Sequence, residues 1–162
     1  MRLVELMGDD GAEIVVHSAG VRAEDGKPMD ESAAQELARL GGRVAGFLSR
    51  QLVDRYVHDA DLVLTATKEL RSQVLELVPS ALRRTFTLTE FATLVDGAER
   101  SSLDALVADA AVRRPSAQLP TYDIDDPIGA SAEEHREVAD QIDRCTRAIA
   151  SALATAVKPA LR

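Results

Sequence analysis

The apolar positions of this chain recur in two periods, and their order alternates short extended runs with longer helical ones. Met1 to Met7 reads as the end of a helix, with Leu3, Val4 and Leu6 apolar, stopped at Gly8-Asp9-Asp10-Gly11. Glu13-Ile14-Val15-Val16-His17 is a β-branched run that predicts a strand. Asp30 is placed to cap a helix with Ala33, Ala34, Leu37 and Leu40 on one face, ended by Gly41 in a left-handed cap. A short helical stretch follows Arg50. Asp61-Leu62-Val63-Leu64-Thr65 then predicts a second strand, apolar on both faces as in a parallel sheet.

Thr67 caps the next helix, with Leu70, Val74 and Leu77 expected inward and Pro79 as its end. Arg84-Thr85-Phe86-Thr87-Leu88 alternates and is the expected third strand. Phe91 to Val95 predicts a helical turn, Leu103 to Ala111 a helix, and Arg113 to Tyr122 a Pro-containing loop. The last helix has the clearest start, because Ser131 and Glu134 are spaced as a capping box. Its apolar stripe is Val138, Ile142, Cys145, Ile149 and Leu153, ending before Pro159. Strands separated by helices imply an α/β three-layer sandwich around a parallel sheet. The 162 residues suit one domain with a single core.

Composition narrows the function classes. Aromatics are 3% of the chain with no Trp, so the core must be built from Leu, Val, Ile and Ala. A net charge of −8 argues against nucleic-acid or acidic-membrane binding, which relies on Lys and Arg neutralising phosphates. No apolar run approaches the roughly 20 residues that span a bilayer. The single Cys excludes an internal disulfide and fits a reducing compartment. With no leader pattern at Met1 to Leu6, a cytoplasmic protein is the expectation.

Candidate chemistry is sparse. Asp123-Ile124-Asp125-Asp126-Pro127-Ile128-Gly129 puts three carboxylates within four positions, on a loop closed by a Pro-x-Gly turn. Crowding of that kind raises carboxyl pKa values and suits a general acid, although Asp and Pro are also ordinary turn residues. His17, His58 and His135 are widely spaced and none has a partner at metal-ligand spacing such as i, i+4, so no metal or cofactor is expected. Cys145, mid-helix on an apolar stripe, is expected to be buried and unreactive. Neither GxGxxG nor GxxxxGK[ST] occurs.

One ordered set of short motifs goes further. Ser18-Ala19-Gly20, Gly26-Lys27-Pro28-Met29-Asp30, Ser49-Arg50-Gln51-Leu52, Asp59 to Leu64, Thr85 to Ala92 and the Asp126-Pro127 loop follow one another in family order. Together they resemble the low-molecular-weight protein-tyrosine phosphatases, particularly actinobacterial forms, over Ile14 to Ile149. The resemblance implies a four-stranded parallel sheet and phosphomonoester hydrolysis through a phosphocysteine. The nucleophile of that family lies in a Cys-x5-Arg loop after the first, central strand. Asp126 matches the acid that protonates the leaving phenol, and Ser18 a serine supporting the phosphate loop. Ile128 stands where the family often has an aromatic lining the substrate slot.

The Cys-x5-Arg loop is not found, since Ser151 lies six residues after Cys145. The expectation is therefore a domain incomplete at its N-terminus, with Met1 inside the first helix, and inactive as it stands. Loss of a central strand would cost about 5–10 kcal/mol in buried aliphatic side chains, comparable to a whole domain's stability. A partner chain filling that strand's place is one expectation, and a non-catalytic interaction module one alternative function. An arsenate reductase of the same fold is another, equally dependent on the loop. With the loop restored, the expected substrate is a phosphotyrosine protein or a small phosphomonoester.

Overall fold

A computed structural model describes residues 14–98 and 101–157. The expected helix end at Met1 to Met7, and Glu13 of the first strand, lie outside the described residues. Helix α1 spans Glu31–Arg39, and Asp30 Oδ1 accepts the Ala33 N–H at 3.1 Å, satisfying a donor the helix cannot. Gly41 ends it at φ +80°, and Gly42 N–H donates to Leu37 O at 2.8 Å. A Cβ on Gly42 would stand 2.3 Å from Leu37 Cδ1, so that side chain would have to shift to admit one.

Helix α2 is Asp54–His58, strand β1 Val63–Thr65 and helix α3 Lys68–Leu77, capped by Thr67 as its sequence predicts. Leu77 is exposed, contrary to expectation, and Val78 is buried in its place. The reason is local: Val78 has left helical geometry, and Pro79 starts a 3-10 turn, Pro79–Arg84, that turns its side chain inward. Strand β2, Thr85–Thr87, is buried throughout and pairs with β1 in parallel, Val63 opposite Thr85 and Thr65 opposite Thr87.

Helix α4, Leu88–Leu94, begins earlier and runs longer than the turn expected at Phe91 to Val95. Thr87 and Glu90 form a reciprocal capping box that starts it directly at the end of β2. Helix α5 is Leu103–Arg113, capped by Ser102, and helix α6 is Ala132–Val157. At the start of α6, Ser131 N–H donates to Glu134 Oε2 at 2.8 Å, and Glu134 N–H to Ser131 Oγ at 3.2 Å.

The sheet separates two apolar clusters. Leu62 and Leu64 pack on the cluster of Phe86, Phe91, Leu106, Ile149 and Leu153, drawn from β2, α4, α5 and α6. Val63 faces the other way, onto Val57, Val74, Val78 and Ala81 of α2, α3 and the 3-10 turn. Period-two alternation along β1 thus places helices on both faces of a parallel sheet, the expected α/β arrangement. Phe86 and Phe91 meet with ring centroids 5.0 Å apart and planes tilted by 52°, a favoured aromatic geometry.

The sheet has two strands among the described residues, so the four-stranded count is not reproduced there. Ile14 to His17 keeps a strand's alternation, with Ile14 and Val16 half-buried and Val15 77% exposed, but pairs in no ladder among the described residues. Propensity sets the local pleat, whereas a ladder needs a second chain segment alongside. The only bridge outside the two strands, among the described residues, joins Gly20 to Gln51 in parallel.

One ionic cluster lies inside this framework. Glu90, 2% exposed, sits between Arg71 of α3 at 3.0 Å and Arg114 at 3.4 Å. Arg114 also donates to Leu82 O at 3.1 Å and Thr85 O at 2.6 Å, and lies over the Phe86 ring at 4.0 Å. Burial pulls the Arg114 guanidinium below its ordinary pKa; Glu90 opposes this, and Arg71 adds a smaller lowering. Removing the carboxylate by Glu90→Ala strands two partly buried cations and should cost about 3 kcal/mol, the lower end of such losses because both arginines retain some water. Urea denaturation would measure it, with Glu90→Gln losing less; a loss under about 0.5 kcal/mol, as at ordinary surface sites, would contradict the role.

Candidate active site

The acidic loop is anchored at the carboxyl end of β1. Ile124 is 4% exposed, and its N–H donates to Ala66 O, just past the strand, at 3.0 Å. The residue before it is committed as well, since Asp123 Oδ1 accepts the Lys68 N–H at 2.7 Å and so caps α3 beside Thr67. Lys68 Nζ lies over the Tyr122 ring at 3.7 Å. Thr89 Oγ1 donates to Tyr122 O at 2.5 Å, and Tyr122 OH to Ala117 O at 3.1 Å.

The three carboxylates read as one crowded set in the sequence therefore divide. All three are exposed, but Asp123 caps α3, whereas Asp125 and Asp126 lie beyond the anchor at Ile124. Asp126 Oδ1 accepts the Ile128 N–H at 3.1 Å, a turn built by Asp on its own backbone. Ala130 N–H donates to Pro127 O at 2.9 Å, and Gly129 adopts φ +82°, which leads the chain into the α6 capping box. Ile128 is 74% exposed. Asp126 is thus an exposed carboxylate on a short anchored loop at the carboxyl end of a parallel strand, where ligands of α/β folds commonly bind.

Ser18 is exposed, two residues before the Gly20–Gln51 bridge. Among the described residues no hydrogen bond or ion pair joins Ser18 to Asp126 or Ile128. The early motifs do come together. Gly20 N–H donates to Arg50 O and Leu52 N–H to Gly20 O, each at 2.9 Å, while Gly26 N–H donates to Ser49 O. Ser49 Oγ accepts the Lys27 N–H, and Asp25 Oδ1 accepts the Gln51 N–H at 2.6 Å. Residues 20–27 and 49–52 are thus laced into one unit that closes the chain around α1. The roles of Asp25, Ser49 and Gln51 are not legible in the sequence, because such cross-links carry no periodic signal.

His17 and His58 are exposed. His135 is buried, with Nδ1 3.0 Å from Ser131 O and Nε2 4.0 Å from Asp30. No three His, Cys, Asp or Glu side chains among the described residues converge as metal ligands.

The stripe expected on α6 is half right. Ile149 and Leu153 are buried, but Ile142 is 38% exposed, and the buried line passes instead through His135, Asp143 and Thr146. The first half of α6 faces α1 through charge: Arg39 reaches Asp140 at 2.5 Å, and Arg136 approaches Glu36 at 4.0 Å. Cys145 is half-buried and lines a cavity of about 350 Å³ with Thr89, Thr93, Leu119 and Gln141. Burial pushes its thiol up, with Arg144 opposing weakly.

The family model described as low molecular weight phosphotyrosine protein phosphatase matches residues 2–110. YwlE arginine phosphatase from Geobacillus stearothermophilus is 26% identical, with TM-score 0.67 over 93% of this chain and 81% of that one. The tyrosine phosphatase AmsI of Erwinia amylovora is 20% identical, with TM-score 0.68 over 94% of this chain and 83% of that one. The tyrosine phosphatase Wzb of Escherichia coli K30, in complex with sulphate, is 18% identical, with TM-score 0.68 over 93% of this chain and 87% of that one. No curated protein matches the chain.

The raised thiol gives a direct expectation. At neutral pH Cys145 should be alkylated by iodoacetamide more slowly than free cysteine, with the rate climbing only as pH rises past the ordinary thiol range. Faster alkylation than free cysteine at pH 7 would contradict the burial assignment.

Proposed function

The chain belongs to the low-molecular-weight phosphotyrosine protein phosphatase family, and on that premise we propose that Asp126 is the general acid of a phosphomonoesterase site. The observation that supports this reading is the anchored loop: Ile124 is tied to Ala66, and Asp126 is exposed two residues beyond. In the reaction, a thiolate attacks phosphorus and the bond to the leaving oxygen breaks. Asp126 gives that oxygen its proton. The resulting carboxylate then accepts a proton from the water that hydrolyses the phosphocysteine.

Ser18 is assigned to support of the phosphate-binding loop, and Ile128 to the wall of the substrate slot. An aliphatic wall gives apolar contact without ring stacking, so phosphotyrosine in a protein and small phosphomonoesters both fit it. The 26% likeness to an arginine phosphatase makes phosphoarginine the second substrate to test. We assign the thiolate to a Cys-x5-Arg loop additional to these residues, since Cys145 is raised by burial and has Ser151 where Arg is required. The 162 residues alone are then inactive. A cytoplasmic setting suits this chemistry, and no helix among the described residues is long and apolar enough to cross a membrane.

The test adds a family Cys-x5-Arg segment to the chain and varies the leaving group. Asp126→Ala should slow hydrolysis of phenyl phosphate by about 10²–10⁴-fold. Hydrolysis of p-nitrophenyl phosphate, whose phenolate leaves unaided, should slow far less. Equal slowing of both would remove Asp126 from the role of acid. Failure of the extended chain to turn over any phosphomonoester would favour a non-catalytic interaction module.

A further inference from the structure

The loop that carries Asp126 has very little free backbone. Ile124 is fixed by its buried side chain and by the bond to Ala66 O, and the turn from Pro127 to Ala130 is closed by its own hydrogen bond. Only Asp125 and Asp126 lie between these fixed points. The three steps from Ile124 to Pro127 reach at most about 11 Å when extended, so movements at either end are passed to the Asp126 carboxylate. What holds the upstream end is therefore a determinant of where the proton is delivered.

We propose that Asp123, acting with Lys68, is a positioning residue for Asp126. Lys68 grips the loop twice, through its backbone N–H to Asp123 Oδ1 at 2.7 Å and through its ammonium over the Tyr122 ring at 3.7 Å. From the other side, Thr89 of α4 holds the Tyr122 carbonyl. The loop base is thus clamped between the first residue of α3 and the first turn of α4, the helices that follow β1 and β2. The end of α3 would otherwise attract an anion from solution. Here the protein's own carboxylate fills it, so the helix end serves the loop and not a ligand.

This role rests on Asp126 being the acid, but its test does not use turnover. Amide hydrogen exchange of the full 162-residue chain, resolved by NMR, reads the clamp directly. Asp123→Ala should speed exchange at Lys68, Ile124 and Ile128 together by about fivefold or more, the equivalent of one lost helix cap. Asp123→Asn keeps an acceptor oxygen and should restore all three. Lys68→Met keeps the backbone donor but removes the ammonium, and should speed Ile124 and Ile128 while sparing the amide at position 68. A change confined to the Lys68 amide would make Asp123 an ordinary cap and overturn the positioning role. Uniform acceleration across the core amides would overturn it as well. If Asp126 is not the acid, the leaving-group test fails while this exchange pattern stands, so the two failures are told apart.

Discussion

The buried pairing of Glu90 with Arg71 and Arg114 is the constraint on which the rest of the structure depends. Its carboxylate accepts from Arg71 of α3, pairs with Arg114 beyond α5, and closes the capping box with Thr87 at the end of β2. A charge this deep is tolerable only when paired and hydrogen-bonded, so the three elements must meet in one arrangement. Arg114 extends the network by holding the carbonyls of Leu82 and Thr85 while stacking on Phe86. Apolar burial sets the compactness of this region, and the ionic node sets the relative placement of α3, β2 and α4.

That placement reaches the candidate site through short links. Arg71 lies one turn after Lys68 on α3, and Thr89 lies beside Glu90 on α4. The two helices held by the node are therefore the two that grip Tyr122 and Asp123. Asp126 is carried by a loop with almost no slack, on a base fixed by elements whose own separation is fixed by a buried charge. The position of the Asp126 carboxylate is in this sense a property of the core as much as of the loop.

Much of this was legible in the residues. Asp30, Thr67 and Ser131 announce helix starts because a side-chain oxygen at that position satisfies a backbone donor that has no other partner. The family was legible too, because the order of several short motifs carries an identity that no single motif does. Other features were hidden. The Thr87–Glu90 box was overlooked because it sits inside a strand-like alternation. Asp123 looked like a member of a carboxylate cluster, and only tertiary contact shows that it belongs to α3. Ile14 to His17 has the composition of a strand, yet a ladder is a relation between segments that no single run encodes. The α6 stripe erred in its first half, where α1 is met by Arg39–Asp140 and Arg136–Glu36 instead of apolar side chains.

The chain's one thiol takes a structural place. Cys145 is half-buried, raised by desolvation, and lines a cavity walled mainly by α4, residues 119–121 and α6. The most direct measurement is mass-spectrometric trapping of the covalent intermediate. Residues 1–162 would be incubated with an aryl phosphate, acid-quenched and mapped by peptide. The account predicts no phosphate on Cys145 and no change on Cys145→Ser. Phosphocysteine at that position, lost in the serine variant, would contradict it and move the nucleophile into α6.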